Sequence, residues 1–498
     1  MPKIMEKIVG RFGYVKKIDL RQPQRRAFDA GQINRLTASW STNSNSINQD
    51  IYRNLRTLRA RSRDLTYNND YAKKFLQMTS THVVGPNGFT LQVKAKDPNG
   101  TLDQVANVSI QNAFYRWAKR GMCDVTGKLS LADIKHLAIK AVARDGEALI
   151  RKVYGNINSF GFALQIVDID RLDIERNEEL SNGNIIKMGV EITPYGRPVA
   201  YHLLTKHPGD SVYWTAQGSY YERVPAEDIY HFFIPDRPEQ TRGLPWMHSA
   251  MMRLQNIGGY EEAAIIAARI GASKMGFFNS PDGDGDALAD DIDDAGNLIT
   301  EADPGQFPVL PQGYDFTPFN PDYPTAMYGD FIKAALRGVA AGLGVAYNTL
   351  SNDLENVNFS SIRSGTLEER DNWQVIQNWF IESFLDDMFT TWLKYALLNG
   401  AILQPSKQPL PAAKFDKFND ASWTGRRWQW VDPRADVEAN VSAINNRLKS
   451  RTQVISEMGG DIDDVWAQLK AEEEEAKKQG LVLPAPDVVK KNTPPAAI

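Results

Sequence analysis

The stretch TLEERDNWQVIQNWFIESFLDDMFTTWLKYALL, Thr366–Leu398, places Leu367, Trp373, Ile376, Trp379, Phe380, Phe384, Met388, Trp392, Leu393 and Leu397 at helical intervals. Neither Pro nor Gly interrupts its 33 residues. One continuous amphipathic helix is predicted. At about 1.5 Å per residue it would run about 50 Å, long for a compact domain and suited to an elongated assembly. Because the aromatics recur at helical spacing, packing against neighbouring helices explains them better than a ligand box does.

Working outward, Gln404–Pro411 is Pro-rich and Trp428-Gln-Trp-Val-Asp-Pro433 follows. Two further helical segments are predicted, Ala435–Lys449 and Arg451–Gln479, and the tail beyond has the Pro-rich, polar composition of a disordered segment. On the N-terminal side, Ala346–Ser364 is dense in Asn, Ser and Asp and reads as an extended loop, preceded by an Ala/Gly-rich helix at Tyr328–Leu343. Before that lies an insertion-like module, Asn279–Pro324, with nine acids and no base between Asp282 and Asp303. Helical character resumes from Pro245 to about Met275. Between Glu147 and Phe233, short alternating runs (Ala148–Tyr154, Phe162–Asp168, Ile185–Ile192, Val199–Leu204, Ile229–Phe233) predict a small, mostly antiparallel sheet. Helices are predicted at Leu102–Lys119 and at Ser130–Arg144, where Ser130 is the N-cap, a short strand at Phe89–Val93, and an amphipathic helix from Gln49 to about Val83.

Composition narrows the function classes. The 498 residues carry 57 Lys+Arg against 61 Asp+Glu, a formal net charge of −4, so no global basic field exists for coating nucleic acid. The charge is segregated: fourteen bases face four acids in Met1–Arg63, and the first 48 residues read as a mobile basic arm. One cysteine, Cys123, and six scattered histidines provide neither an internal disulfide nor a structural zinc set, which fits a reducing compartment. Neither a secretory signal nor a membrane-spanning run is recognisable.

Motifs for catalysis fail on their own chemistry. Gly121–Lys128 resembles a phosphate loop but has five residues between the glycines, and Leu129 stands where a hydroxyl would bind Mg²⁺. The run from Asp282 lacks the turning Gly and the terminal Glu of a calcium loop. Asp145-Gly-Glu147 and Asp168-Ile-Asp170 could pair as the carboxylates of a metal-dependent nuclease, but turn chemistry and strand-end solvation explain them more simply. Cys123 reads as a small buried apolar residue. No catalytic residue, metal ligand or cofactor site is assigned.

Several segments together carry a family resemblance. They are Arg59-Ala-Arg-Ser-Arg63, Asn68-Asn69 and Val83-Val-Gly-Pro-Asn-Gly88; Trp117 with Cys123-Asp124 and Gly127; Arg144-Asp-Gly-Glu147; and Asp168-Ile-Asp-Arg-Leu172. Gly189-Val-Glu-Ile192, Gly196-Arg-Pro-Val-Ala-Tyr201, Val224-Pro-Ala226, Tyr230-His231 and Arg237-Pro-Glu-Gln-Thr-Arg-Gly-Leu-Pro245 follow, then Ala340-Ala-Gly-Leu-Gly-Val-Ala-Tyr347, Leu350-Ser-Asn-Asp353, Asn358-Phe-Ser-Ser361 with Arg363, and Trp430-Val-Asp-Pro433. In this order, from about Asn54 to Gly480, the chain resembles the lambda-like portal proteins of tailed bacteriophages.

The resemblance implies an α+β, mainly helical subunit of a ring oligomer, typically dodecameric. It would have a basic arm (1–48), an α/β wing (49–244), a two-helix stem (245–278 and 324–344) enclosing an acidic clip (279–323), a tunnel loop (345–364), a long wing helix (365–404), a helical crown (405–480) and a disordered tail (481–498). Such a ring sits at one capsid vertex of the virion, is assembled in the host cytoplasm, and passes double-stranded DNA. Its partners would be the major capsid protein and scaffold, the large terminase subunit and the head-completion or adaptor protein, with no membrane. Lys333 and Arg337, four residues apart, are candidates for a basic belt, or else for an exposed or intersubunit salt bridge. Asn352, Asn356, Asn358 and Arg363 are the candidate DNA contacts of the tunnel loop, and Asp290, Asp291, Asp293 and Asp294 the candidate docking residues of the clip. The alternative is a phage-encoded DNA-processing enzyme or DNA-binding regulator.

Overall fold

The computed structural model describes residues 35, 38–210, 220–272, 276–279, 291–292, 298–299, 315–318, 327–355, 359–428, 433–458, 460 and 462–481. The chain divides into Met1–Ser46 and Ile47–Ile498; the elements below belong to the second unit. Residues 1–34 and 36–37 of the predicted arm and 482–498 of the predicted tail lie outside the described residues.

The helix expected from Gln49 to Val83 is two helices, α1 (Ile47–Asn68) and α2 (Asp70–Thr79). Asn69 breaks it: its backbone is extended and its side chain accepts from the Ala72 N–H, which makes it the N-cap of α2. A π-helical turn, Ser80–Val84, follows, then β1 (Thr90–Val93) and α3 (Gln104–Trp117). α4 (Leu131–Asp145) starts at Ser130 in a reciprocal capping box with Asp133 and ends on a left-handed Gly146. Gly is required there, because a Cβ on Gly146 would stand 2.5 Å from the Leu244 carbonyl carbon.

The strand region forms two antiparallel sheets in place of the single one expected. Strands β2 (Ala148–Tyr154) and β3 (Phe162–Val167) pair as a hairpin. Next come β4 (Glu178–Glu179), β5 (Ile185–Lys187), β6 (Val190–Ile192), β7 (Pro198–Leu204), β8 (Tyr221–Pro225) and β9 (Ile229–Phe232). The sheet orders are β3-β2-β9 and β4-β5-β6-β7-β8. Ile185–Ile192, expected as one strand, turns back on itself between β5 and β6. Met188 and Gly189 both take positive φ, the backbone of a tight hairpin turn.

α5 (Met251–Ala272) then leads into the acidic insert, within which β10 (Gly276–Asn279) pairs with β13 (Asp315–Pro318) and β11 (Asp291–Ile292) pairs with β12 (Leu298–Ile299), both antiparallel. α6 (Tyr328–Leu343) packs on α5. Tyr260 stacks on Tyr328 with centroids 5.6 Å apart, and Arg253 crosses where a Cβ on Gly338 would collide with its guanidinium. The close approach of the two helices accounts for the small residues of α6.

The extended loop expected at Ala346–Ser364 is corrected. α7 (Tyr347–Ser351) occupies its first part, and α8 (Phe359–Phe380) has already begun by Phe359. Asn, Ser and Asp density signals a loop only where nothing else fixes the backbone; here the last part of the segment, from Phe359, is the N-terminal extension of a long helix. α8 continues through a π-helical turn, Ile381–Leu385, into α9 (Asp386–Leu398). The extra residue in that turn rephases the stripe, so Phe380, Phe384, Leu385, Met388, Phe389 and Trp392 are all buried.

Around this stripe lies the main core. Phe114 meets Trp392 edge-on at 5.0 Å, Trp117 stacks on Phe162 at 5.6 Å, and Phe384 meets Phe232 at 5.1 Å. α10 (Phe415–Phe418) and β14 (Ala421–Thr424) follow, and β14 pairs with β1, Leu91 opposite Trp423. Three helices complete the described chain: α11 (Pro433–Asn445), α12 (Arg451–Glu457) and α13 (Ile462–Gln479). Among the described residues no helix is long and apolar enough to cross a membrane.

Candidate functional site

The carboxylates singled out by sequence converge on arginines. Arg59 follows Ile51 and Leu55 on the buried stripe of α1, so the helix carries a guanidinium into the interior. There it pairs with Glu147, which is fully buried at the start of β2. Glu147 also accepts from Arg242 Nε at 2.8 Å, His231 Nε2 at 2.7 Å and the Gly243 N–H at 3.0 Å. Burial alone would raise its pKa, but the Arg242 and Arg59 guanidiniums outweigh burial and hold the carboxyl well below its usual range. Burial pushes the His231 pKa down, against the pull of Glu147.

One turn along α1, Arg63 donates from Nε to Asp145 Oδ1 at 2.6 Å and from Nη1 to Asp170 Oδ2. Arg144 also holds Asp145, at 2.8 Å. Asp168, Asp170 and His207 bring one ligand atom each within 4.8 Å of one another, a geometry that could hold a cation. Arg63 and Arg59 already approach those oxygens, Arg59 Nη1 lying 3.5 Å from Asp170 Oδ1. The guanidiniums therefore supply the positive charge a divalent ion would bring, and the pKa of Asp170 is lowered because Arg63 and Arg59 outweigh its desolvation. The two carboxylate motifs belong to an ion-pair cage that ties α1, α4, β2, β9 and the segment before α5 together. The sequence offers Arg59, Arg63, Arg242 and His231 only as members of the segments that carry the family resemblance and assigns none of them a role. The available signal was an arginine on the apolar stripe of a helix.

The second group surrounds the end of α6. The helix stops at Gly344, which is left-handed (φ 66) and donates to the Ala341 carbonyl. Lys333 Nζ donates to Glu355 Oε2 at 2.8 Å and lies 3.7 Å from Asp353 Oδ2; the hydrogen bond to Glu355 raises its pKa. The Arg337 guanidinium sits 5.4 Å from the centre of the Tyr347 ring, whose hydroxyl donates to Asp353 at 2.7 Å. Thr349 donates to the buried Glu369 of α8 at 2.8 Å, and Glu369 also accepts from Trp373 Nε1 at 3.1 Å. Asn352 caps α7 with φ 55 and is exposed beside Leu354, itself 68% exposed. Lys333 and Arg337 thus lie on one face of α6, each engaged by the turn that follows.

Arg363 lies on the first turns of α8, and Asn356 and Asn358 fall outside the described residues. Of the acidic candidates, Asp291 opens β11 opposite Ile299, while Asp290, Asp293 and Asp294 fall outside the described residues. Cys123 is buried, and burial pushes its thiol up to about 12.

Residues 34–377 match the family model described as phage portal protein, lambda family. The probable portal protein of Halomonas phage phiHAP-1 is 37% identical over 465 residues, covering 92% of this chain and 88% of that one. Portal protein B of Escherichia phage lambda is 22% identical over 488 residues, covering 90% and 89%. Among solved structures, a chain from the neck of an empty GTA particle computed with C6 symmetry is 13% identical with a TM-score of 0.40, covering 85% of this chain and 97% of that one. The arginine cage and the α6–α7 turn both fall within the matched segment.

Proposed function

This chain belongs to the lambda family of phage portal proteins, and from that premise we propose that it forms a dodecameric ring at one capsid vertex, without catalytic activity of its own. The ring is the channel through which double-stranded DNA enters during packaging and leaves during ejection. The observation that carries this reading is the family match over residues 34–377, supported by 37% identity to a phage portal protein across most of both chains.

DNA must slide through such a channel. Each phosphate neutralised by a free Lys or Arg contributes a counterion-release term, with a slope of about 0.9 in log K against log salt per contact, so many free cations around a ring would hold the duplex. The pairing of Lys333 with Glu355 and Asp353 supports a belt in which that charge is compensated, while Arg337 keeps its charge over the neutral Tyr347 ring. In this proposal Asn352, Asn356, Asn358 and Arg363 contact DNA transiently. Asp290, Asp291, Asp293 and Asp294 dock the large terminase subunit and later the head-completion protein by steering a basic surface. The basic arm engages the major capsid protein or scaffold during assembly in the host cytoplasm.

Negative-stain images of the purified protein test the reading: rings of about a dozen subunits with a central hole are expected, and compact monomers or dimers would overturn it.

A further inference from the structure

From Pro433 onward the described residues bury only two apolar side chains, Val454 and Ala476. Against these stand Val437, Val441, Leu448, Met458, Trp466 and Leu469, all exposed, Leu448 to 78% and Trp466 to 55%. Helices of 13, 7 and 18 residues gain too little from propensity alone to stand by themselves in water. Uncovered apolar surface repeated on successive helices marks a contact face.

Charge sorts this surface into two unlike faces. Leu448 lies in the α11–α12 connection between Arg447 and Arg451, and Arg447, with φ 61, turns the chain there. The remaining base of that run, Lys449, is taken by Glu457 of α12 at 2.9 Å. α13 is the opposite: six acids against three lysines, with Glu472–Glu475 following Trp466 and Leu469. Trp466 and Glu473, seven residues apart, share one side of the helix. Glu475 is engaged within α13 by Lys478 and Gln479, and both Glu472 and Glu473 are exposed.

A ring needs two different, complementary faces on each copy, whereas a two-fold contact would set each face against itself. We propose that α13 of one copy docks through Trp466, Leu469 and Glu473 onto the Arg447-Leu448-Arg451 face of the next copy, so that the C-terminal helices complete their apolar packing only between subunits. The proposal rests on the ring reading above and names the surface that closes the ring at this end of the chain.

The buried, unreactive Cys123 is the one native cysteine, which makes crosslinking selective. Arg447→Cys is introduced in one preparation and Glu473→Cys in a second; the two are co-assembled and treated with a short bismaleimide. Crosslinked dimers are expected only in the mixture, and the double variant should give a ladder ending in a covalently closed ring. Arg451→Glu should cut the mixed crosslink several-fold. Rings that sediment normally yet give no inter-copy crosslink overturn the proposal, as do single variants that crosslink to themselves. Absence of any ring in sedimentation would instead overturn the ring reading, and this contact with it.

Discussion

Glu147 has no route to solvent and is surrounded by three positively charged or donating side chains, so its charge is structural. Replacing it with Gln keeps the shape, leaves Arg242 buried without its carboxylate and leaves Arg59 with only the more distant Asp170. Breaking a buried pair in this way typically costs about 3–5 kcal/mol. Glu147→Gln should lower the denaturant midpoint accordingly, while Arg61→Gln on the exposed side of α1 should change stability by less than about 0.5 kcal/mol. Equal effects from the two substitutions would remove the special role of the cage. The same logic separates Lys333 from a free cation, because its charge already faces Glu355 and Asp353.

At the scale of elements, the long helix owes its burial to one irregular turn. The π-helical residues Ile381–Leu385 let Phe384, Met388 and Trp392 face the same core as Phe380. Trp392→Ala would empty the centre of the aromatic cluster around Phe114 and Phe389 and should cost about 3–5 kcal/mol in unfolding experiments. A loss below 1 kcal/mol would mean that the cluster does not hold the helix. The helix and its aromatic stripe were legible from periodicity. The π turn was not, since one added residue in a run rich in apolar side chains leaves every candidate phase populated. The early start of α8 was hidden as well, because Asn, Ser and Asp carry local turn chemistry that a long helix overrides.

Across the whole molecule, protonation should loosen the junction between the core and the C-terminal helices. His82 lies between Trp373 and Trp428, stacked on both, and accepts at Nδ1 from Trp428 Nε1 at 3.1 Å. Burial, with Arg426 and Arg370 nearby, lowers its pKa from 6.5 to about 4. The unfolded chain therefore takes up this proton first: the stability of the neutral ring is fully present above pH 6.5 and is lost as the pH falls toward 4. Melting temperatures measured across that window should decline, and His82→Gln should flatten the decline; an unchanged slope would assign it to other groups. At the same scale the basic N-terminal segment changes meaning. Arg59 and Arg63 contribute to its positive count, yet both are spent inside the protein on Glu147, Asp145 and Asp170.

Sequence by itself determined most of the helices, strands β1, β2, β3, β7 and β9, the capped start of α4, the charge segregation and the family, because each is written in local spacing or in ordered short motifs. Tertiary structure alone decided which charges are free. Arg59 and Arg61 look alike in sequence, but one points along the apolar stripe of α1 into a cage of carboxylates and the other into solvent. Partners 86 to 96 residues away, such as Arg59 with the Asp145 carbonyl and Gly243 with Glu147, are chosen by packing and not by spacing. That choice turned two apparent metal-binding carboxylate motifs into a structural ion-pair network.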